Sequence, residues 1–334
     1  MKKWLKRAAF AVAGAFATWV LVALVLVATP APAFRSKPFA IGARANVACM
    51  ASPDTACYTA RDGTVLHALR DGAPGDTIVL LLHGVMSDAD EMRPAAHALQ
   101  AKAGATVISL DLRGHGASGG TFGDIAYAGQ YEDDVGDVVA ALRRQAPRAR
   151  VLLAGHSMGG GIAVRYAARA GVPAVDGYLL YAPHLGESAP STKHDEGAAA
   201  GTEAPIKLHL RRTIGLLMLG AVGVHAFDGL GTLYFNATRG DDRARYSFRA
   251  MTACAPDDYA AALRADDKPL LIVAGSADEA FDASAYPAAA RLHVHGDALV
   301  VPGVGHDGIL TDAAALAAID DWLHAPAGHA GAGS

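Results

Sequence analysis

The stretch Val151-Leu152-Leu153-Ala154-Gly155-His156-Ser157-Met158-Gly159-Gly160-Gly161 decides the fold of this chain. Its first four residues form a short, continuous apolar run, the pattern of a strand buried on both faces. The residues after it, IAVRYAARA, continue as a helix over Met158–Arg169. Between them lies Gly-x-Ser-x-Gly in a strand-to-helix context. Glycines flank the serine because the turn is too tight for side chains there. The Ser157 hydroxyl is thereby held above the carboxyl end of a sheet, with the N-terminus of a helix beneath any negative charge that develops. Ser157 is the candidate nucleophile.

A serine hydroxyl is a poor nucleophile near neutral pH and needs a base, with an acid to hold that base in the right tautomer. Two later segments offer them. The apolar run Leu270–Ala274 ends in Gly275-Ser276-Ala277-Asp278-Glu279, and Ala298–Val301 ends in Pro302-Gly303-Val304-Gly305-His306-Asp307-Gly308. Both loops follow a core strand, which is where an open α/β sheet presents its reactive groups. Asp278 is the candidate acid and His306 the candidate base, with Glu279 and Asp282 as rivals for the acid role. Donors for a tetrahedral oxyanion are the third requirement. Leu80-Leu81-Leu82-His83-Gly84-Val85 is a strand followed by His-Gly. The expected donors are the backbone N–H groups of Val85 and Met158, with His83 as a support for the loop.

Outward from these segments, Ile78–Leu82, Val107–Leu110 and Tyr178–Tyr181 complete a set of short buried strands, and Thr64–Leu69 begins the sheet antiparallel. Helices fit between them at Asp90–Lys102, Tyr131–Gln145 and Asp312–Leu323. This rhythm predicts a mostly parallel central sheet with helices on both faces. The interval from Pro183 to Lys268 is far longer than the roughly 12–15 residues of an ordinary connection, which makes it an inserted subdomain. It contains an uncharged run, Thr213–Phe227, too short to span a bilayer and read as a lid or as a core helix of the insertion.

The segments LLHGVMSD, DLRGHGASGG (Asp111–Gly120), GHSMGG, GSADE and GVGHDGI together resemble the α/β-hydrolase superfamily over about residues 60–324. Within it they are most similar to serine hydrolases of the lysophospholipase, monoacylglycerol lipase and serine-aminopeptidase-like group. The resemblance implies a triad in the chain order Ser157, Asp278, His306, and a cap inserted after the sixth strand, where the long interval falls. It implies a fold-stabilising role for Arg113, His115 and Ser118. It also implies carboxylic esters of small or lipid-like molecules as substrates, with a peptidase, thioesterase or acyltransferase using the same triad as alternatives. A catalytically dead, membrane-tethered binding module is the reading from another class. The expected division is 1–33 membrane anchor or signal, 34–59 linker, 60–183 first part of the core, 184–268 cap, 269–324 second part of the core and 325–334 flexible tail.

The chain has 334 residues, 52% hydrophobic and 19% charged, which excludes disorder and coiled coil. Lys2, Lys3, Lys6 and Arg7 precede the uncharged run Ala8–Ala28, long enough to cross a bilayer. Removing those four from 29 basic residues against 33 acidic ones leaves the body at −8, which argues against a nucleic-acid partner. The length of the run favours an anchor, with the body exported by the positive-inside bias. Ala31-Pro32-Ala33 supplies the alternative, a signal-peptide cleavage site and a secreted or periplasmic product. Export makes Cys49 and Cys57 a candidate disulfide, with two free thiols as the alternative, and leaves Cys254 unpaired. No metal-binding motif occurs, and the expected chemistry needs no cofactor.

Overall fold

The computed structural model of the protein describes residues 2–42, 49–193 and 203–325. The expected flexible tail lies, except for Ala325, outside the described residues. In chain order the main elements are α1 (Lys2–Val27), β1 (Phe39–Ile41), β2 (Thr55–Thr59), β3 (Val65–Asp71), β4 (Thr77–Leu82), α2 (Arg93–Ala103) and β5 (Thr106–Leu110). They continue with α3 (Gln130–Gln145), β6 (Arg150–His156), α4 (Met158–Ala168), β7 (Gly177–Tyr181), β8 (Ile206–Leu208), α5 (Leu210–Gly220), β9 (Gly231–Arg239) and β10 (Asp242–Ser247). The last are β11 (Leu270–Gly275), β12 (Gly296–Val301) and a C-terminal helix, Ala313–His324.

Among the described residues, eight strands form the central sheet in the order β12-β11-β7-β6-β4-β5-β3-β2. The six from β12 to β5 are parallel, and β3 and β2 pair antiparallel at the other end. Five of the six parallel strands lie inside the sheet, and unbroken apolar runs follow: all of β11 and residues 78–82 of β4 are buried, whereas β12 at the edge is only partly so. Alternation along β4 sends Val79 and Leu81 into a core with Leu99 of α2 and Ile319 and Leu323 of the C-terminal helix, while Leu80 and Leu82 take the opposite face. The architecture is the mostly parallel central sheet that the sequence predicts.

The chain divides into two compact units. One, holding the central sheet, consists of Arg44–Phe122, Tyr127–Glu196 and Thr252–Ser334; the other of Met1–Ala43, Gly123–Ala126 and Gly197–Met251. This differs from the expected division in two ways. Residues 34–59 are more than a linker, because β1 pairs in parallel with β9 of the smaller unit and β2 closes one edge of the central sheet. The inserted interval is also not a unit by itself, since α1 packs on α5 and completes its core with Ala23 and Val27. The hairpin β9–β10 turns at Gly240, whose φ of +62° suits glycine.

Cys49 and Cys57 form a disulfide eight residues apart in sequence, tying the segment before β2 to that edge strand. Cys254 is a buried thiol outside that disulfide, and burial pushes its pKa up to about 12. A bridge that closes so short a loop removes about 2–3 kcal/mol of unfolded-state freedom. Cys57→Ser should lower the free energy of unfolding by about that amount in urea titrations, and dithiothreitol should weaken the parent protein but not the variant.

Candidate active site

The elbow is built by close packing. A Cβ on Gly155 would lie 2.3 Å from the Gly159 carbonyl carbon, and one on Gly159 would lie 2.4 Å from the Leu82 carbonyl oxygen. With no room on either side, the backbone turns sharply and Ser157 is forced to φ +53°, ψ −114°, a conformation that costs a non-glycine residue on the order of 1–3 kcal/mol. Hydrogen bonds hold it there. Ser157 N–H donates to Tyr181 O, and Ser157 O accepts from the N–H groups of Gly161 and His184. Met158 opens α4, so its N–H has no acceptor within the helix.

The β4 loop lies against this turn: a Cβ on Gly84 would meet Ser157 Cβ at 3.4 Å. His83 braces the loop as a neutral imidazole. Its Nε2 accepts from Leu112 N–H at 3.1 Å, so its Nδ1 donates to Gly84 O at 2.8 Å, and burial holds its pKa below the ordinary value. The DLRGHGASGG segment braces the next turn. Buried Asp111 accepts from the N–H groups of Ala89 and Ala117 and meets His67 Nδ1 at 2.8 Å. Arg113 spans Asp62 and Asp134, Ser118 Oγ donates to Asp111 O, and His115 Nδ1 lies 2.9 Å from Arg113 O.

From the loop after β11 comes Asp278, and from the loop after β12 comes His306. Their contact is His306 Nδ1 to Asp278 Oδ2 at 2.9 Å, with Asp278 3% exposed. Burial drives the Asp278 carboxyl upward. The hydrogen bonds from His306 and from the N–H groups of Phe281 and Ala280 outweigh it and hold the group below the usual carboxylate range. Neither rival acid occupies this place. Glu279 Oε2 accepts from the His306 backbone N–H at 3.0 Å, and Asp282 Oδ1 accepts from Ser284 N–H and Oγ–H. Ser157, His306, Val85 and Gly84 line one cavity of about 480 Å³, together with apolar Met92 and Leu310 and polar Ser87 and Glu91.

Three supporting roles were not assigned from the sequence. Glu279 fixes the His306 backbone, and Lys193 Nζ donates to Asp278 O at 2.8 Å. His156, a variable position of the serine motif, places Nε2 3.2 Å from His306 O and sets its ring 4.5 Å from the His306 ring at a tilt of 43°. The ligand-type atoms of His156, His306 and Asp307 lie within 4.8 Å of one another. Hydrogen bonding already engages both histidines, and the cluster serves to brace the His306 loop. A hint for His156 existed, since a polar residue beside a buried serine needs a partner.

Residues 73–219 match the family described as serine aminopeptidase, S33. A 2-(acetamidomethylene)succinate hydrolase of Mesorhizobium japonicum is 27% identical over 69% of this chain and 81% of its own. Protein phosphatase methylesterase 1 of Mus musculus is 37% identical over 33% of this chain, and a monoacylglycerol lipase of Mycolicibacterium smegmatis 36% identical over 28%. The chain spans less than a third of the length of either of these two, at 28% and 32%. Among solved structures, Est1E of Butyrivibrio proteoclasticus with bound ferulic acid aligns over 80% of this chain and 95% of its own at TM-score 0.55 and 18% identity. The esterase RhEst1 of Rhodococcus sp. ECU1013 aligns over 81% and 98% at TM-score 0.53 and 22% identity.

Burial, reinforced by the His306 ring, pulls the His156 pKa down to about 3. An unfolded histidine titrates near 6.5, so below that pH the unfolded chain binds a proton the folded one refuses. The stability present above pH 6.5 is therefore lost as pH falls toward 3. Between pH 6 and 4 the parent should lose about 1.4 kcal/mol per pH unit more than His156→Gln, read as the difference between their urea stabilities. Parallel slopes would show that His156 titrates normally in the folded protein.

Proposed function

We propose, from the premise of an α/β-hydrolase fold, that the chain is a serine esterase acting on carboxylic esters of small or lipid-like molecules. Ser157 Oγ attacks the ester carbonyl carbon while His306 takes its proton. The oxyanion is held by the N–H groups of Val85 and Met158. Collapse of the tetrahedral intermediate expels the alcohol, which receives the proton from His306. Water then enters, gives a proton to His306 as it attacks the acyl carbon, and the acid is released as His306 returns that proton to Ser157 Oγ. Asp278, kept ionised by its hydrogen bonds, accepts from His306 Nδ1–H and so leaves Nε2 as the base.

One observation carries this reading: the His306–Asp278 pair and the strained Ser157 belong to loops that open into the same cavity of about 480 Å³. Apolar Met92 and Leu310 on its wall favour an acyl group over a charged amine. Ester-cleaving relatives, the methylesterase and the monoacylglycerol lipase among them, support the same class of substrate. The apolar helix α1 and the Cys49–Cys57 bridge support a catalytic unit on the extracytoplasmic side, held to the membrane by residues 8–28.

A fluorophosphonate should label the folded parent at Ser157 and leave Ser157→Ala unlabelled. With p-nitrophenyl esters, Ser157→Ala should lose at least about a thousandfold in kcat, and Asp278→Asn about ten-thousandfold through the wrong histidine tautomer. A folded parent that neither labels nor turns over esters of any acyl length removes the esterase reading. Faster turnover of aminoacyl amides than of matched esters would assign the triad to amide cleavage instead.

A further inference from the structure

We propose that α1 is retained in the mature protein and that α5 lies beside it in the headgroup–acyl boundary of the membrane α1 enters. The smaller unit would then rest on the bilayer, with more than a single helix holding it there.

The first part follows from packing. Ala23 and Val27 of α1 are 0% and 6% exposed, and they share an apolar cluster with Leu216 and Leu219 of α5. The helices touch at backbone distance: a Cβ on Gly215 would sit 2.6 Å from Ala23 O, a position open only to glycine. Polar groups close the contact at both ends. Trp19 Nε1–H donates to Met218 O at 3.0 Å, and Arg212 donates to Val27 O and Thr29 O at 3.0 and 2.9 Å. His209 Nε2 lies 3.1 Å from Thr29 O. Position 29 thus meets 209 and position 19 meets 218, so the two helices run antiparallel. Cleavage after Ala33 would strip this layer from α5, exposing Leu216 and Leu219 and removing two acceptors from Arg212.

The second part follows from what α5 leaves uncovered. Leu210, Ile214 and Leu217 are 60%, 42% and 56% exposed at spacings of four and three, a single apolar stripe on the side away from Leu216 and Leu219. No Asp, Glu, Lys or Arg occurs from Thr213 to Phe227. The neighbouring α1 exposes Phe10, Phe16, Leu21 and Val25 around its circumference, which a helix does in lipid and not in water. Because the α5 stripe adjoins a helix of this kind, lipid is the occupant that covers both. Arg211 is exposed in the first turn of α5, suited to anionic headgroups.

The inference does not depend on the ester chemistry, and its test needs no turnover. Full-length Leu217→Cys and Asp297→Cys proteins, with Cys49–Cys57 paired and buried Cys254 unreactive, are labelled with the fluorophore NBD and placed in phosphatidylcholine–phosphatidylglycerol vesicles. Unchanged melting temperatures identify folded samples. The Leu217 probe should shift to the blue and be quenched by lipids doxyl-labelled near the headgroup, with iodide quenching severalfold weaker than at exposed Asp297. The mature N-terminus should precede residue 8. Iodide quenching equal at the two sites, a Leu217 probe shielded from iodide but not quenched by the doxyl lipids, as pairing of two copies would give, or a mature chain beginning near residue 34 would each overturn the proposal.

Discussion

The turn between β6 and α4 is the constraint on which the site depends. Gly155 and Gly159 press against one another and against the Leu82 carbonyl, leaving Ser157 no conformation but a left-handed one. Because β4 lies beside β6 in the sheet, that close approach also brings the residues after Leu82 next to the serine. The geometry of the candidate nucleophile and of the proposed oxyanion donors is thus one packing event. Strain of on the order of 1–3 kcal/mol at Ser157 is sustained by the hydrogen bonds to Tyr181, Gly161 and His184.

Around this turn, polar groups hold loops in place by being buried and paired. His83 joins two loops as a neutral imidazole, and Asp111 collects N–H donors from two more. On the other side, Glu279 and His156 take hold of the His306 backbone, and His306 in turn engages Asp278 through its ring. The candidate base is fixed by its main chain as well as by its side chain. A rotation of the His306 ring would have to break the Asp278 contact, whose acceptor is kept ionised by two further N–H groups.

The smaller unit obeys a different constraint. Its α5 is too short and too apolar on both faces to be satisfied by a β-sheet alone, and α1 supplies the missing layer. The same N-terminal segment continues into β1, which adds a parallel strand to β9. An apolar leader that would otherwise read as a separable signal is therefore woven into a folded unit at two places, helix on helix and strand on strand.

Local signals were enough for much of this protein. Continuous apolar runs identify strands such as β4, β6 and β11, and Gly-x-Ser-x-Gly between a strand and a helix identifies Ser157, because those patterns report burial and turn geometry within a few residues. His306 and Asp278 stand out as polar residues just past core strands, for the same local reason. Contacts that join residues far apart were decided only by the tertiary structure. The pairing of β1 with β9, the seat of α1 on α5 and the grip of His156 on His306 each join positions about 150 to 200 apart. A histidine inside a motif, an apolar leader and a short run after it look the same whether or not such a partner exists. What distinguishes them is the space left when the rest of the chain has packed.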